Sequence, residues 1–416
     1  MEHNAALVTN DAVILGMLAV ILGLVFYTES SDHPFWKRFY TYIPGLLLCY
    51  FLPSLLNAFG IIDAEESRLY FVASRYLLPA CLVLLTLSVD LPAIGRLGYK
   101  AVVMFLTGTF GIMIGGPIAI MVVGLISPET VGGSGPEAVW RGMTTIAGSW
   151  IGGGANQAAM KEVFEVSDAV FSQMVAVDVL CASVWMAILL YLSVRSARID
   201  RQMGADTSAI EDLKHRVEKF QKKHARFLTL PDLLFISAIG FGAMGLAHAV
   251  AGFVAPWIQQ EAPGLAKLSL TSQFFWIVVT ATTIGLALSF TRARKLEGAG
   301  ASKVGSAMLY FLVATIGMGM DITAVFRNPG IFAVGGIWIG IHAVLLIIVA
   351  KIIRAPLFYL AVGSQANVGG AASAPVVASA FHPTLAPVGV LLAVLGYSIG
   401  TYAAWICGLM MQAIAP

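Results

Sequence analysis

Charge is what this chain of 416 residues has least of: aspartate, glutamate, lysine and arginine together make up 12% of it, about half the share usual in a soluble domain. With 58% apolar residues and a mean hydropathy of +0.84, that scarcity excludes an ordinary soluble fold and indicates an all-α polytopic membrane protein. The net charge of +2 is too small to point to a nucleic-acid partner. Cysteine is scarce too. Cys49, Cys81, Cys181 and Cys407 lie singly inside apolar runs, without a CxxC pair or a neighbouring histidine cluster, which removes the disulfide-framework and zinc readings. No GxxxxGK[ST], HExxH or clean GxSxG occurs, so nothing supports ATP-driven transport by this chain alone, a zinc protease or a nucleophile elbow. The first eleven residues lack lysine and arginine, and no small-residue cleavage site follows the first apolar run; that run is expected to be kept as a span rather than removed as a signal peptide.

What is abundant is apolar sequence in lengths near the ~20 residues that cross a bilayer. Spans are expected at residues 11–28, 41–60, 69–89, 101–126 and 168–194, and again at 230–255, 272–290, 304–320, 331–350 and 384–412. Between the fourth and fifth span of each series lies a polar, glycine-rich segment: GSWIGGGANQ at 148–157 and GSQANVGGAAS at 363–373. Charge bias decides whether these cross. Lys37 and Arg38, Arg96 and Lys100, the basic stretch after Tyr191, Arg292 to Lys303, and Lys351 with Arg354 must share the cytoplasmic side. The loops between them carry Asp63, Glu65, Glu66, Glu129, Glu137 and Glu261. All of these sort correctly only if each glycine-rich segment is a re-entrant hairpin that returns to its own side.

Each half then has five spans and one hairpin, and the halves have opposite orientation: a first inverted repeat at 1–194, a cytoplasmic linker at 195–229 and a second repeat at 230–416, with both termini outside. Residues repeat as well. GIMIG at 111–115 matches GIWIG at 336–340, Asp90-Leu-Pro-Ala-Ile matches Asp321-Ile-Thr-Ala-Val, and Ser149 is spaced from Ser183 as Ser364 is from Ser398. The linker is the one long polar stretch. Ser208 to Glu211 forms a capping box, and Asp212 with Arg216 and Glu218 with Lys222 have i,i+4 spacing. Leu213, Val217 and Phe220 would form a narrow apolar stripe, and a surface-lying helix is expected there.

A helix broken inside the membrane exposes backbone N–H groups that favour an anion and carbonyls that can coordinate a cation. Serine, asparagine and glutamine add neutral donors and acceptors. The candidate solute-binding residues are therefore Ser149, Gly152, Gly153, Gly154, Asn156 and Gln157 in the first segment and Ser364, Gln365, Asn367, Gly369, Gly370 and Ser373 in the second. Opposed hairpins would bring their tips together near the midplane. Close helix packing accounts for GIMIG, GIWIG and Gly396-x-x-x-Gly400, but it does not account for the added amides.

Asp178 lies mid-span in an apolar setting, where an unpaired carboxylate costs roughly 2.5–3.5 kcal/mol. It is read as a sodium or proton ligand near the first hairpin, with a hydrogen-bonded aspartate that locks two helices as the alternative. Tyr397, Ser398, Thr401 and Tyr402 form one polar face beside the second hairpin and would complete a coupling-ion site. Asp90 and Asp321, each at a span exit, read as N-caps. His248 and His342 read as satisfied interior histidines, and Arg75 and Arg141 as snorkelling or anion-attracting residues.

With GSWIGGGANQAA and GSQANVGGAASAPVVASAFHPTLAPVGVLLAVLGYSIGTY the whole chain resembles the YjcL-like family of integral membrane proteins. In layout it is also similar to the glutamate-sodium symporters and the citrate-type 2-hydroxycarboxylate transporters, whose inverted repeats each carry a Gly-Gly hairpin, here at Gly152-Gly153 and Gly369-Gly370. That second resemblance implies an elevator-type mechanism, in which a core holding both hairpins slides against a scaffold that commonly dimerises.

The expected function is cation-coupled secondary transport of a small polar or anionic organic solute. Sodium or a proton would be the coupling ion, and there would be no other cofactor. The chain would not be an enzyme. Its partners would be the solute, the lipid bilayer of a bacterial inner membrane and a second copy of the chain. Two alternatives stand beside this: a cation-proton antiporter in which Asp178 is the exchanged site, and an intramembrane aspartyl protease suggested by Gly317-Met-Gly319-Met-Asp321, one residue longer than a GxGD motif.

Overall fold

The structure, a computed structural model, describes residues 6–205, 228–320 and 328–416, without the side chains at 41, 42 and 384. The expected helix stretch at 208–222 and Asp321 lie outside the described residues. The described residues are helical, and among them eight helices are long and apolar enough to cross a membrane, or up to ten when two sharply bent helix pairs are each counted as one span. They are α1 (Asp11–Glu29), α2 (Pro34–Tyr42), α3 (Gly45–Ala58), α4 (Leu69–Leu87), α5 (Leu91–Arg96), α6 (Tyr99–Ile126), α7 (Val139–Val163), α8 (Asp168–Ser193), α9 (Ser196–Met203), α10 (Leu230–Glu261), α11 (Gln273–Ser289), α12 (Ala301–Met318), α13 (Ile331–Ile352), α14 (Leu357–Val368), α15 (Gly370–Phe381) and α16 (Ala386–Ile414).

The ends follow local chemistry. Asn10, Ser167, Thr229 and Ser272 cap α1, α8, α10 and α11 with their side chains. Asp90 caps α5, accepting from Ala93 N at 2.9 Å, the role its place at a span exit predicts. One expected boundary moves: the span read as 41–60 begins at Gly45, because Pro44 has no N–H to carry a helix through and Ile43 is extended. The aromatic helix α2 before it lies at 88° to α3.

The helices fall into two groups, drawn alike from both halves. The first comprises α1, α3 and α4 with α10, α11 and α12; the second comprises α6, α7 and α8 with α13, α14, α15 and α16. Within the second group α16 packs on α7 and α15, and α6 packs on α13 and α14. GIMIG does serve packing, since Gly111 and Gly115 lie against His342 and Trp338, whereas Gly336 and Gly340 of GIWIG face open space. The matching motifs therefore do different work in this chain.

Candidate functional site

Both glycine-rich segments fold as helical hairpins. A straight helix of 25 residues is about 37 Å long, yet the rings of Trp140 and Phe164 at the two ends of α7 are 5.9 Å apart, and Arg141 Nη1 donates to the Phe164 carbonyl at 2.5 Å. The turn is made at Gly153, whose φ of 73° and ψ of −175° are open only to glycine. In the same way α14 and α15 fold back at Gly369 and Gly370, bringing the rings of Phe358 and Phe381 to 5.5 Å. We call α7 hairpin 1 and the α14–α15 pair hairpin 2.

The hairpins point at each other along α16. Gly389 meets Ala374 of hairpin 2, Gly400 meets Gly152 near the tip of hairpin 1, and Gly408 meets Phe164 at its foot. At the meeting point a Cβ placed on Gly370 would lie 3.9 Å from Gly153 Cα. The first turn of α15 starts there with no side-chain cap, so backbone N–H groups open at the tip without an intrahelical partner.

Asp178 holds hairpin 1 from one face. Its Oδ2 accepts from Ser149 Oγ at 2.6 Å and from Gln157 Nε2 at 2.9 Å, one on each arm, while Oδ1 accepts from Trp150 Nε1 at 2.7 Å. Three donors offset the cost of burying the carboxylate. Gln157 in turn accepts from Tyr50 of α3 at 3.4 Å, a link between the two helix groups.

The opposite face of hairpin 1 is held by α16. Asn156 donates to Gly152 O across the break at 3.0 Å and to Tyr397 O at 3.3 Å, and it accepts from Thr401 Oγ1 at 2.5 Å. Hairpin 2 repeats the pattern on α6. Asn367 donates to Gly363 O and to Phe105 O, each at 2.9 Å, and accepts from Thr109 Oγ1 at 2.8 Å. In both cases the amide bonds the carbonyl four residues before it, then a carbonyl and the threonine four residues further along a long helix.

Ser364 occupies the place in hairpin 2 that Ser149 occupies in hairpin 1. It bonds His342 Nε2 at 2.8 Å and Trp185 Nε1 at 2.8 Å, while His342 Nδ1 reaches Gly108 O at 3.0 Å. A carbonyl only accepts and an indole N–H only donates, so the neutral ring carries its proton on Nδ1 and Ser364 donates to Nε2. Gln365 Nε2 donates to Ser373 Oγ at 2.7 Å across the hairpin, and its Oε1 is buried with no hydrogen-bond partner among the described residues.

The predicted site residues therefore separate by task. Ser149, Asn156, Gln157, Ser364, Asn367 and Asp178 are occupied in fixing the hairpins, and Gly152 lets hairpin 1 approach Gly400. Gly153, Gly154, Gly369, Gly370, Gln365 and Ser373 lie at or near the meeting tips. The Tyr397 ring lies beside Gly153. Thr401 also bonds Thr282 Oγ1 at 3.2 Å, Tyr402 bonds Thr283 at 2.7 Å, and Ser398 turns to Leu395 O of its own helix at 2.9 Å. The structure places hairpin 1 between Asp178 and the α16 residues, with no contact between Asp178 and Tyr397, Ser398 or Thr401 among the described hydrogen bonds. Among the described residues no cluster of three or more histidine, cysteine, aspartate or glutamate side chains is arranged for a metal ion.

Sequence reasoning missed Trp150, Trp185, Thr109 and Tyr50. The signal was available for the tryptophans, since an indole N–H inside an apolar run must find an acceptor. His248 Nε2 donates to Arg75 O at 2.8 Å, inside a π-helical stretch at Ala73–Leu77.

Against this geometry stand the relatives. A family profile described as "Protein of unknown function (DUF819)" matches residues 14–414. The chain belongs to the DUF819 family. It is also similar to the "Uncharacterized membrane protein YjcL" of Bacillus subtilis, with 23% identity over 352 residues, covering 81% of this chain and 82% of that protein. The DUF819 match spans both hairpins and all the helices that grip them.

Proposed function

We propose that this chain is a cation-coupled secondary transporter of a small polar or anionic organic solute, working by an elevator-type mechanism. The observation that carries the reading is the tip-to-tip meeting of two hairpins, with the uncapped first turn of α15, the unpartnered Gln365 Oε1 and Ser373 around it. Broken helices of this kind offer backbone donors to an anion and carbonyls to a cation at one place. The two helix groups supply the other requirement of an elevator: α6, α8, α13, α16 and the hairpins form the moving core, and α1, α3, α4, α10, α11 and α12 form the scaffold. That each half gives its first three spans to one group and the rest to the other supports two inverted repeats, at 1–194 and 230–416. Positive-inside counting adds a cytoplasmic linker, external termini and a bacterial inner-membrane location. A homodimer through the scaffold belongs to the same reading.

The coupling ion in this proposal is sodium or a proton, and Asp178 transmits it because it grips both arms of hairpin 1. Antiport with Asp178 as the exchanged site has less support, since both its oxygens already accept hydrogen bonds from the hairpin.

Thermal unfolding of the purified protein in sodium against potassium chloride, for wild type and Asp178→Asn, tests the coupling. A ligand of the folded state at ~100 times its dissociation constant adds about 2.7 kcal/mol. Stabilisation specific to sodium and lost in the variant is the expected result for sodium coupling, and pH-dependent proton uptake by wild-type proteoliposomes is expected for the proton case. The transport reading itself fails if proteoliposomes move no organic anion or polar solute in a gradient of either ion.

A further inference from the structure

At the foot of hairpin 1 a cavity of about 610 Å³ opens between the two helix groups, walled by residues 140–141 and 161–166 of the hairpin end, by Arg75, by residues 266, 267, 269 and 271–274 and by Gln412. Its charged walls are unbalanced. Arg75, Arg141, Lys161 and Lys267 face it, against Glu162 and Glu165. Arg75 pairs with Glu162 at 2.8 Å, and Lys161 pairs with Asp168 at 2.9 Å. Arg141 and Lys267 have no carboxylate partner among the described residues. The rest of the lining is rich in hydroxyls and amides, from Ser269, Thr271, Ser272, Gln273 and Gln412.

Two of the cations are held in place by aromatic rings. The Arg75 guanidinium lies 4.4 Å from the Phe274 ring centroid, and that of Arg141 lies 5.2 Å from Trp140. Such backing fixes the plane of a guanidinium, which is the geometry that recognises a carboxylate through two parallel hydrogen bonds. The volume falls in the range of small-molecule pockets. Charge bias sharpens the point, because this end of the hairpin lies on the side of the acidic loops at 127–138 and 261, where cations are otherwise sparse.

We propose that this cavity is a docking site for carboxylate-bearing organic anions, separate from the hairpin tips. It rests on the transport reading only in assigning the cavity to solute arrival; binding there does not require that transport occur. An excess of cations over carboxylates around an open cleft raises the local concentration of an anion, and the site would hand the solute toward hairpin 1.

The test is a titration of the full-length, detergent-purified protein with bromosuccinate at low ionic strength, followed by quenching of Trp140, with Trp140→Phe assigning the signal. Arg141→Gln combined with Lys267→Gln is expected to raise the half-saturation concentration at least tenfold. Lys267→Glu, a change at an exposed residue of the 3-10 turn at Pro263–Leu268, is expected to raise it several-fold with an unchanged unfolding temperature. Ser373→Ala, at hairpin 2, is expected to leave the titration unchanged while uptake falls. Sorbitol at equal concentration should give no displacement, and succinate should displace the probe. Equal half-saturation in wild type and in both charge variants overturns the proposal. Inorganic phosphate or chloride displacing the probe as well as succinate also overturns it, since the cavity is then a general anion screen. Intact binding without uptake of any solute would sink the transport reading and leave this site standing.

Discussion

Thr401 Oγ1 donates to Asn156 Oδ1 at 2.5 Å, joining α16 to hairpin 1 across 245 residues of chain. Thr109 does the same for Asn367 from α6, 258 residues away. The two amides sit on different arms, Asn156 after the turn at Gly153 and Asn367 before the turn at Gly369, so a single device has been fitted to two unlike positions. Replacing either asparagine by alanine removes three hydrogen bonds and leaves a threonine hydroxyl and carbonyls buried. Single hydrogen bonds between membrane helices average about 0.6 kcal/mol and reach about 1.7. The expected loss is therefore about 1–3 kcal/mol for Asn156→Ala or Asn367→Ala, and no more than about 1.7 for Thr401→Val, read by unfolding in mixed micelles. Wild-type stability in both alanine variants would show that the hairpins are held by packing alone.

Asp178 gives a sharper contrast between two substitutions. The Trp150 indole can only donate, so in Asp178→Asn the amide oxygen must take the Oδ1 place and the NH2 must face Ser149 and Gln157. Ser149 can accept, and Gln157 can turn its oxygen round, but that oxygen then leaves Tyr50. Asp178→Asn is thus expected to fold with a loss of about 1–2 kcal/mol, whereas Asp178→Leu strands three donors and should lose at least about 3 kcal/mol. Tyr50→Phe in the Asp178→Asn background should add little. Additive losses in that double variant would refute the rearrangement.

Much of the fold could be read from sequence because apolar runs of bilayer length leave few alternatives, and each expected span meets a helix within a few residues except at Pro44. The glycine-rich segments were legible as breaks, since Gly153 and Gly370 are the turning points and both stand at positive φ, which favours glycine. What they do was less legible. The polar residues between the glycines read as a solute site, yet Ser149, Asn156 and Gln157 are occupied with Asp178 and Thr401. Such pairings join residues from 21 to 245 positions apart, and no periodicity reports them. The cavity at the hairpin foot was hidden for the same reason: Arg75, Arg141 and Lys267 are ordinary loop and helix-end cations until the fold gathers them.

Neighbouring glycines at the tip of hairpin 1 should respond oppositely to alanine. Gly153 has a φ of 73° with extended ψ, a region that costs a residue with a Cβ of order 1–3 kcal/mol. Gly154 has an ordinary φ, and a Cβ there would meet nothing closer than 3.9 Å. Gly154→Ala is expected to be neutral or stabilising by up to about 1 kcal/mol, through the lower entropy of the unfolded chain. Gly153→Ala is expected to destabilise and to lower any solute-dependent thermal shift, since the first N–H groups of the second arm would be displaced. Equal unfolding temperatures for the two variants would rule out the turn as the source of the effect.

Asp200 of α9 accepts from Leu357 N at 2.7 Å and so caps hairpin 2 at its foot, bringing the stretch after α8 to bear on the site. Burial raises its carboxyl above the usual aspartate range, and the bond from Leu357 opposes the shift only in part. The folded state then holds the proton more tightly than the unfolded chain, whose aspartates titrate near about 3.9. In the interval from that value up to the raised one the folded form binds more protons, so this group makes stability fall as pH rises. Asp200→Asn is expected to flatten that fall in thermal scans across the mildly acidic range. At neutral pH the variant also loses a charged cap, which costs roughly 0.5–2 kcal/mol, and faster amide exchange should be confined to the first turn of α14. A wild-type pH profile superimposable on that of the variant would mean that Asp200 is titrating as an exposed residue and that the linker does not hold the hairpin.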